Sequence, residues 1–350
     1  MPRMLRNLAA HLIRPLPLTA LERLIPRDPI GFCYHAVCDR QLPHTRHLST
    51  FKSPEQFECD LEFLAENYTL VSYGDLHKGQ PFVQGRRPAA VVTFDDGLCE
   101  CYNVVAPLLA KHGIPAIFFV TTDFLDNLRL CYKHKVSLCI DEYGRRSRVD
   151  QASARKELAD ILNAPIRRTS DLISSLHQME ARAESDLDTF CAHLGIDPDA
   201  FLRTARPYLS SAEVLSLVAD GFTIGAHSRS HVLLASMTPS EAEADIVESC
   251  AWIAKLVGSA SVPYAFPFSG RGMSRALLRY IREHHHHVGL FFDTQGIAKD
   301  SSDVINRISV DEPRSNRVVD LSLAVRRAYA TEMKRVLVGP RTQETRGGTV

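Results

Sequence analysis

Short apolar runs alternate along this chain with longer stretches in which apolar residues recur every three or four positions. Ile30-Gly31-Phe32-Cys33-Tyr34, Val91-Val92-Thr93-Phe94, Ala116 to Val120, Gly221 to Ala226 and Tyr264-Ala265-Phe266 each end in polar residues, Pro or Gly, which predicts strands. Between them, Ser53-Pro54-Glu55-Gln56 supplies an N-cap and a Pro at the first helical position, and Phe57, Leu61 and Leu64 mark one buried face. Val104, Val105, Leu108 and Leu109 mark a second helix, ending at His112-Gly113, and Thr238-Pro239-Ser240-Glu241 is a capping box for a third that ends near Gly258. Strands alternating with helices require a parallel sheet or a barrel.

Residues 126–208 break this rhythm. They are rich in Arg, Glu, Ala, Ser and Leu with helical periodicity, which predicts two or three helices inserted above the mouth of the sheet. Such an insertion acts as a lid or specificity subdomain, or else as a bystander or oligomerisation element. The first 25 residues read as a short amphipathic helix, docked on the domain or resting at a membrane surface. The expected organisation is an N-terminal segment over 1–28, one domain over 29–335 with the insertion inside it, and a polar, disordered tail over 336–350.

The candidate chemistry sits where the predicted strands finish. Asp95 and Asp96 close the run Val91 to Phe94 and are followed at once by Gly97. Adjacent carboxylates repel, so the pair invites a compensating cation or a raised pKa, although Asp-Asp-Gly is also ordinary turn chemistry. His227 and His231, in His227-Ser228-Arg229-Ser230-His231, follow a strand and are spaced to fall on one face of a helical turn. An Asp and two His make three ligands of the kind that holds a catalytic divalent ion, most often Zn²⁺, with Fe²⁺, Co²⁺ and Ni²⁺ fitting the same donors. Strand ends are also the active-site face of a (β/α) barrel.

With Phe266-Pro267-Phe268 and the early Tyr34-His35, these motifs resemble the polysaccharide deacetylase family, the NodB-like carbohydrate esterases. The likeness runs from about residue 30 to about residue 310 and implies a distorted (β/α) barrel carrying a helical insertion. It implies Asp95 as general base, Asp96, His227 and His231 as metal ligands, His35 as general acid, and the backbone N–H of Phe268 as oxyanion donor. The activity implied is removal of the N-acetyl group from an N-acetylated sugar or glycan. A metal-activated water would attack the acetamide carbonyl, and an acid would protonate the leaving amine.

Two positions depart from the family pattern. Many members carry an arginine two residues before the third-motif proline to steer the base; here that position is Ala265, and Arg307 is the candidate substitute unless it is a framework residue. Many members also line the site with a late tryptophan, but the only one here, Trp252, falls in a predicted helix and reads as core.

Composition narrows the setting. The 41 basic and 41 acidic residues cancel, so no global field favours nucleic acid or an anionic membrane. Nine cysteines, an odd number with no Cys-x-x-Cys, predict reduced thiols and a cytoplasmic location. The N-terminal apolar stretch is too short and too broken for a leader, and no run reaches the ~20 residues of a membrane span. Four consecutive histidines, His284 to His287, are expected at an exposed helix-to-strand crossing, with a second metal site there as the lesser alternative. A hydrolase of cyclic imides or amides on the same barrel, and an inactive glycan-binding barrel, remain as other readings of the motifs.

Overall fold

The computed structural model describes residues 17–25, 29–77, 87–311 and 320–338. The other expectations for the N-terminal segment, and the tail from 339 onward, lie outside these residues; within them, Leu18–Leu24 is helical and a C-terminal helix spans Leu321–Val338.

Eight strands are present among the described residues: β1 (Ile30–Tyr34), β2 (Thr69–Leu70), β3 (Ala89–Phe94), β4 (Ala116–Val120), β5 (Thr223–Ala226), β6 (Val262–Ala265), β7 (Val288–Asp293) and β8 (Val304–Ser309). Their order is β1-β8-β7-β6-β5-β4-β3, and β3 pairs back to β1, so seven parallel strands close a barrel. Strand β2 is a two-residue rung against the start of β3. Of the parallel sheet or barrel that the alternating pattern allows, the chain forms the (β/α) barrel that the family resemblance implies, with helices covering its outer face.

Period-two alternation sorts each strand. On β3, Ala90, Val92 and Phe94 join the large core beneath the helices, while Ala89 and Val91 join Ile117, Phe119, Ala265, Leu290, Phe292 and Ile305 in a separate interior cluster. Continuing that inner face past β3 leads through Thr93 to Asp95, which is how a buried strand delivers a carboxylate to the barrel mouth. The same count on β1 puts Gly31, Cys33 and His35 on one face. Glycine is required at 31, since a Cβ there would lie 2.4 Å from Arg307 Cγ.

The helices begin and end as their caps dictate. Ser53 Oγ accepts from Gln56 N at 3.2 Å and Gln56 Oε1 accepts from Ser53 N at 2.9 Å. Thr238 and Glu241 make the same reciprocal pair at the start of Pro239–Val257, which stops at Gly258 with φ 66°. Trp252, on that helix, is 43% exposed and not core, because it falls off the face carrying Ile246, Cys250 and Ile253.

Between β4 and the helix Ser211–Ala219 lie five α-helices, Tyr132–Arg145, Arg148–Leu162, Thr169–Gln178, Glu184–His193 and Pro198–Ala205, more than the two or three expected. They are short and joined by tight caps, which a periodicity count merges. Leu158, Leu172, Leu176, Leu187 and Phe190 give the insertion its own core, and Ala36, Cys38 and Leu98 from the loops after β1 and β3 join it. Each such buried side chain contributes roughly 1.5–3 kcal/mol relative to exposure. The insertion is therefore packed onto the loops at the barrel mouth.

Candidate active site

The chain brings its predicted residues together at the carboxyl ends of the strands. Asp95 follows β3 directly, and its N–H donates to Tyr34 O at 2.9 Å. The backbone then turns left-handed at Asp96 and Gly97, with φ of 71° and 63°. Ser228, His231 and Phe268 also have positive φ, of 62°, 58° and 60°. Non-glycine residues in this region are strained, and of the eight among the described residues Asp96, Ser228, His231 and Phe268 lie at this one site. Just beyond, Cys101–Val105 forms a π-helical turn before the helix Ala106–His112, a further irregularity typical of functional segments.

Asp96, His227 and His231 each offer a ligand atom, all within 4.8 Å of one another. Asp96 Oδ1 lies 3.4 Å from His227 Nε2 and 3.1 Å from His231 Nε2. The other ring nitrogen of His227, Nδ1, is 2.9 Å from Ala265 O, so it carries the proton and leaves Nε2 with a lone pair toward Asp96. Asp96 Oδ1 is buried and has no well-aligned hydrogen-bond donor among the described residues. An orphaned carboxylate oxygen facing two imidazoles fits a divalent cation, so the donor set matches the metal that the sequence predicts. The His231 imidazole is pushed up to about 9: burial opposes its charge, but Asp96 outweighs burial.

Asp95 makes a different set of contacts. Arg307, fully buried, donates from Nη1 to Asp95 Oδ1 at 2.6 Å and from Nη2 to Oδ2 at 2.8 Å. Arg307 Nη1 also donates to Thr93 Oγ1 at 3.0 Å, and Thr93 in turn donates to Phe32 O at 2.8 Å. Burial raises the Asp95 pKa, but the Arg307 charge and then His227 more than offset it, so the carboxyl lies below its usual range and is ionised. The Cys33 thiol, 3.3 Å from Asp95 Oδ2, is a member that the sequence reading did not single out. Cys33, His35 and Asp95 also converge closely enough to be ligands, but both oxygens of Asp95 already accept from Arg307.

His35 stands at the end of β1. Its backbone N–H and its Nδ1 both meet Asp311 Oδ2, at 2.8 and 3.0 Å. Burial pulls the imidazole pKa down, but the Asp311 hydrogen bond and the charges of Asp96, Asp311 and Asp95 together raise it to about 9. Asp311 also escaped the sequence reading; it stands just past β8. Asp293 is another. It ends β7 and accepts from Gly270 N at 2.8 Å and Thr294 N at 2.7 Å, holding the loop that carries Phe268. Phe268 is 44% exposed, its carbonyl accepts from Thr294 Oγ1 at 2.8 Å, and its ring meets the His231 ring edge-on with centroids 4.7 Å apart. Its N–H finds no partner among the described residues.

His35, Asp95, Asp96, His227, His231, Phe268 and Asp311 line one cavity of about 600 Å³. The insertion contributes Cys131, Lys133, His134 and His177 to its wall, with Thr45, Leu48, Ser49 and Phe51 from the β1 loop. The four histidines lie elsewhere: His285 pairs with Glu243 at 3.1 Å and His287 Nε2 with Val247 O at 3.0 Å. They form no ligand cluster among the described residues.

A family model described as polysaccharide deacetylase matches residues 83–163 and 200–289. The match spans Asp95, Asp96, His227, His231 and Phe268 and skips the middle of the insertion. Among solved structures, a Streptococcus pyogenes deacetylase, PplD, in complex with acetate is 15% identical, with TM-score 0.52 over 85% of this chain and 98% of that one. A de-N-acetylase from Aggregatibacter actinomycetemcomitans is 13% identical, with TM-score 0.51 over 85% and 99%. IcaB from Ammonifex degensii is 16% identical, with TM-score 0.50 over 87% and 97%. At these identities the likeness is one of fold. No curated protein sequence matches the chain.

Proposed function

Because this chain belongs to the polysaccharide deacetylase family, and so is a hydrolase of amide bonds, we propose that it is a metal-dependent enzyme removing the acetyl group from an N-acetylated sugar or glycan. The observation that carries this reading is the convergence of Asp96, His227 and His231 beside an Asp95 held by Arg307, in a cavity large enough for a sugar.

Asp96, His227 and His231 would hold the cation, Zn²⁺ best matching the donors, with Fe²⁺, Co²⁺ or Ni²⁺ as alternatives. When bound, such an ion supplies positive charge against a developing oxyanion and a water of raised acidity. Asp95 is the general base. Its lowered pKa makes it a weak one, suited to taking a proton only from water already made acidic. Arg307 fixes the plane of that carboxylate, so its free lone pairs face the cavity. The Phe268 N–H donates to the carbonyl oxygen as charge develops there, held by the turn that Asp293 anchors. His35 is the general acid: with Nδ1 occupied by Asp311, it delivers its proton from Nε2 to the departing amine.

A cytoplasmic location belongs to the same proposal and rests on the odd number of cysteines with no Cys-x-x-Cys pair. Cys139 and Cys191 have sulfurs 3.4 Å apart, so thiol trapping in cell extracts tests the compartment: both reduced supports it, a linked pair refutes it.

The activity is tested by acetate release from N-acetylated monosaccharides, sugar nucleotides and oligosaccharides, using metal-loaded protein beside an Asp95→Asn control. Release confined to the unmutated protein upholds the deacetylase. No release from a folded, metal-loaded sample overturns it.

A further inference from the structure

We propose that His134, supplied by the helical insertion, is a fixed neutral donor whose Nε2–H binds an oxygen of the substrate in the active-site cavity. The proposal rests on the deacetylase reading for the identity of the substrate but not for the state of the imidazole.

His134 lies in the first turn of Tyr132–Arg145, is 3% exposed, and lines the same cavity as Asp95, Asp96, His35 and Phe268. Its Nδ1 is 2.6 Å from Tyr208 Oη, and that oxygen already accepts the N–H of Cys131 at 3.0 Å. Tyr208 is itself buried, so its O–H needs an acceptor, and His134 Nδ1 is the one within reach among the described residues. The tyrosine therefore donates, His134 Nδ1 accepts, and the imidazole proton sits on Nε2. Placing it on Nδ1 instead would strand a buried hydroxyl proton, a cost of about 1–3 kcal/mol. Burial pushes the imidazole down to about 4, which the Asp96 charge does not reverse, so the ring is neutral in the working range of the enzyme.

The ring is also held in place. The Tyr208 ring lies nearly parallel to it, at 14° with centroids 5.5 Å apart, and His44 packs edge-on at 5.1 Å. Burial pushes the His44 imidazole down to about 2 and neither ring nitrogen has a hydrogen-bond partner among the described residues, so it offers His134 no charge and no strong partner. Tyr208 is fastened by Asn127, which accepts its N–H at 3.0 Å and donates to its carbonyl at 3.1 Å. A bridge from Tyr208 to Leu98 then ties the whole unit to the loop just after Asp96. Nε2 makes no hydrogen bond among the described residues. A rigid, uncharged N–H facing a sugar-sized cavity recognises a lone pair on a hydroxyl, ring or acyl oxygen. It stands on the insertion, in the same wall of the cavity as Cys131, Lys133 and His177.

Side-chain ¹⁵N spectra of the full-length protein test the donor first. Near neutral pH the His134 ring should show the neutral Nε2–H tautomer, and Tyr208→Phe should convert it to a mixture. An imidazolium, or a ring protonated on Nδ1, overturns the proposal. Kinetics on an N-acetylated sugar test the contact. His134→Ala should raise KM roughly tenfold with little change in kcat, and His134→Gln, which keeps an N–H, should recover part of the loss. Unchanged KM in a folded His134→Ala protein overturns the contact. If the unmutated protein turns over no acetylated sugar, the deacetylase reading fails, while the tautomer measurement still decides the donor.

Discussion

Arg307 and Asp95 form a two-pronged ion pair at 2.6 and 2.8 Å across the barrel interior, from the last strand to the end of the third. Neither side chain touches bulk water, and each is the other's main source of charge compensation. Removing one partner leaves an uncompensated buried charge, which typically costs about 3–5 kcal/mol. Arg307→Ala should therefore lower the melting temperature markedly. Arg307→Lys keeps a charge but loses the fork, so it should fold and lose roughly a hundredfold in kcat as the base loses its orientation. Thermal melts read beside acetate-release rates separate the two effects. Undiminished turnover in Arg307→Lys would remove Arg307 from the mechanism.

Gly31 sets the space in which Arg307 lies. A methyl group there would meet Arg307 Cγ at 2.4 Å, and the guanidinium would have to leave the plane of Asp95. Gly31→Ala should reduce kcat while leaving metal content unchanged, since Asp96, His227 and His231 are not displaced. Loss of metal along with activity would mean that the strand itself had shifted.

His35 provides a pH signature. Its folded pKa of about 9 lies above the ordinary 6.5, so the protonated form is favoured by folding. That contribution to stability is complete below the ordinary value and is lost as pH rises through about 9. Activity that needs the acid should fall on the same limb. Asp311→Asn removes the main raising partner, and the alkaline limb of kcat/KM should move toward neutral pH. A limb that stays in place would assign the acid to another group.

The metal reading makes a proton-counting prediction. The His231 imidazole, raised to about 9, must give up its proton before Nε2 can become a ligand. Calorimetric titration of Zn²⁺ near neutral pH, in two buffers of different ionisation enthalpy, should report about one proton released per ion bound. His231→Ala should abolish both the release and tight binding. Binding without proton release would mean that His231 is not a ligand.

How far the sequence could lead follows from where each signal resides. The barrel was legible because strand and helix periods alternate and caps such as Thr238-Glu241 are local. Asp95, Asp96, His227 and His231 were legible because each pair sits within a few residues on its own loop. Arg307 could be nominated only through the missing arginine at Ala265; its pairing depends on β1, β3 and β8 being neighbours, which no local pattern encodes. Asp311 and Asp293 were missed for the same reason, because their work is done on His35 and on the Phe268 loop far away in the chain. The insertion was read as helical, but its helix count and its own core depend on short capped segments packing together. Trp252 was misjudged because helical phase, more than residue type, decides which side chain is buried.

The proposed reaction is hydrolysis of an acetamide by water. Deacetylation of an N-acetylated sugar in ¹⁸O-water tests it most directly, by counting free amine and labelled acetate together. The account predicts equal amounts of the two, with the label in the acetate, from metal-loaded protein, and neither product from Asp96→Ala or from chelated protein. Product formation that survives loss of Asp96 and of metal, or none at all from folded, metal-loaded protein on any acetylated sugar, would contradict it.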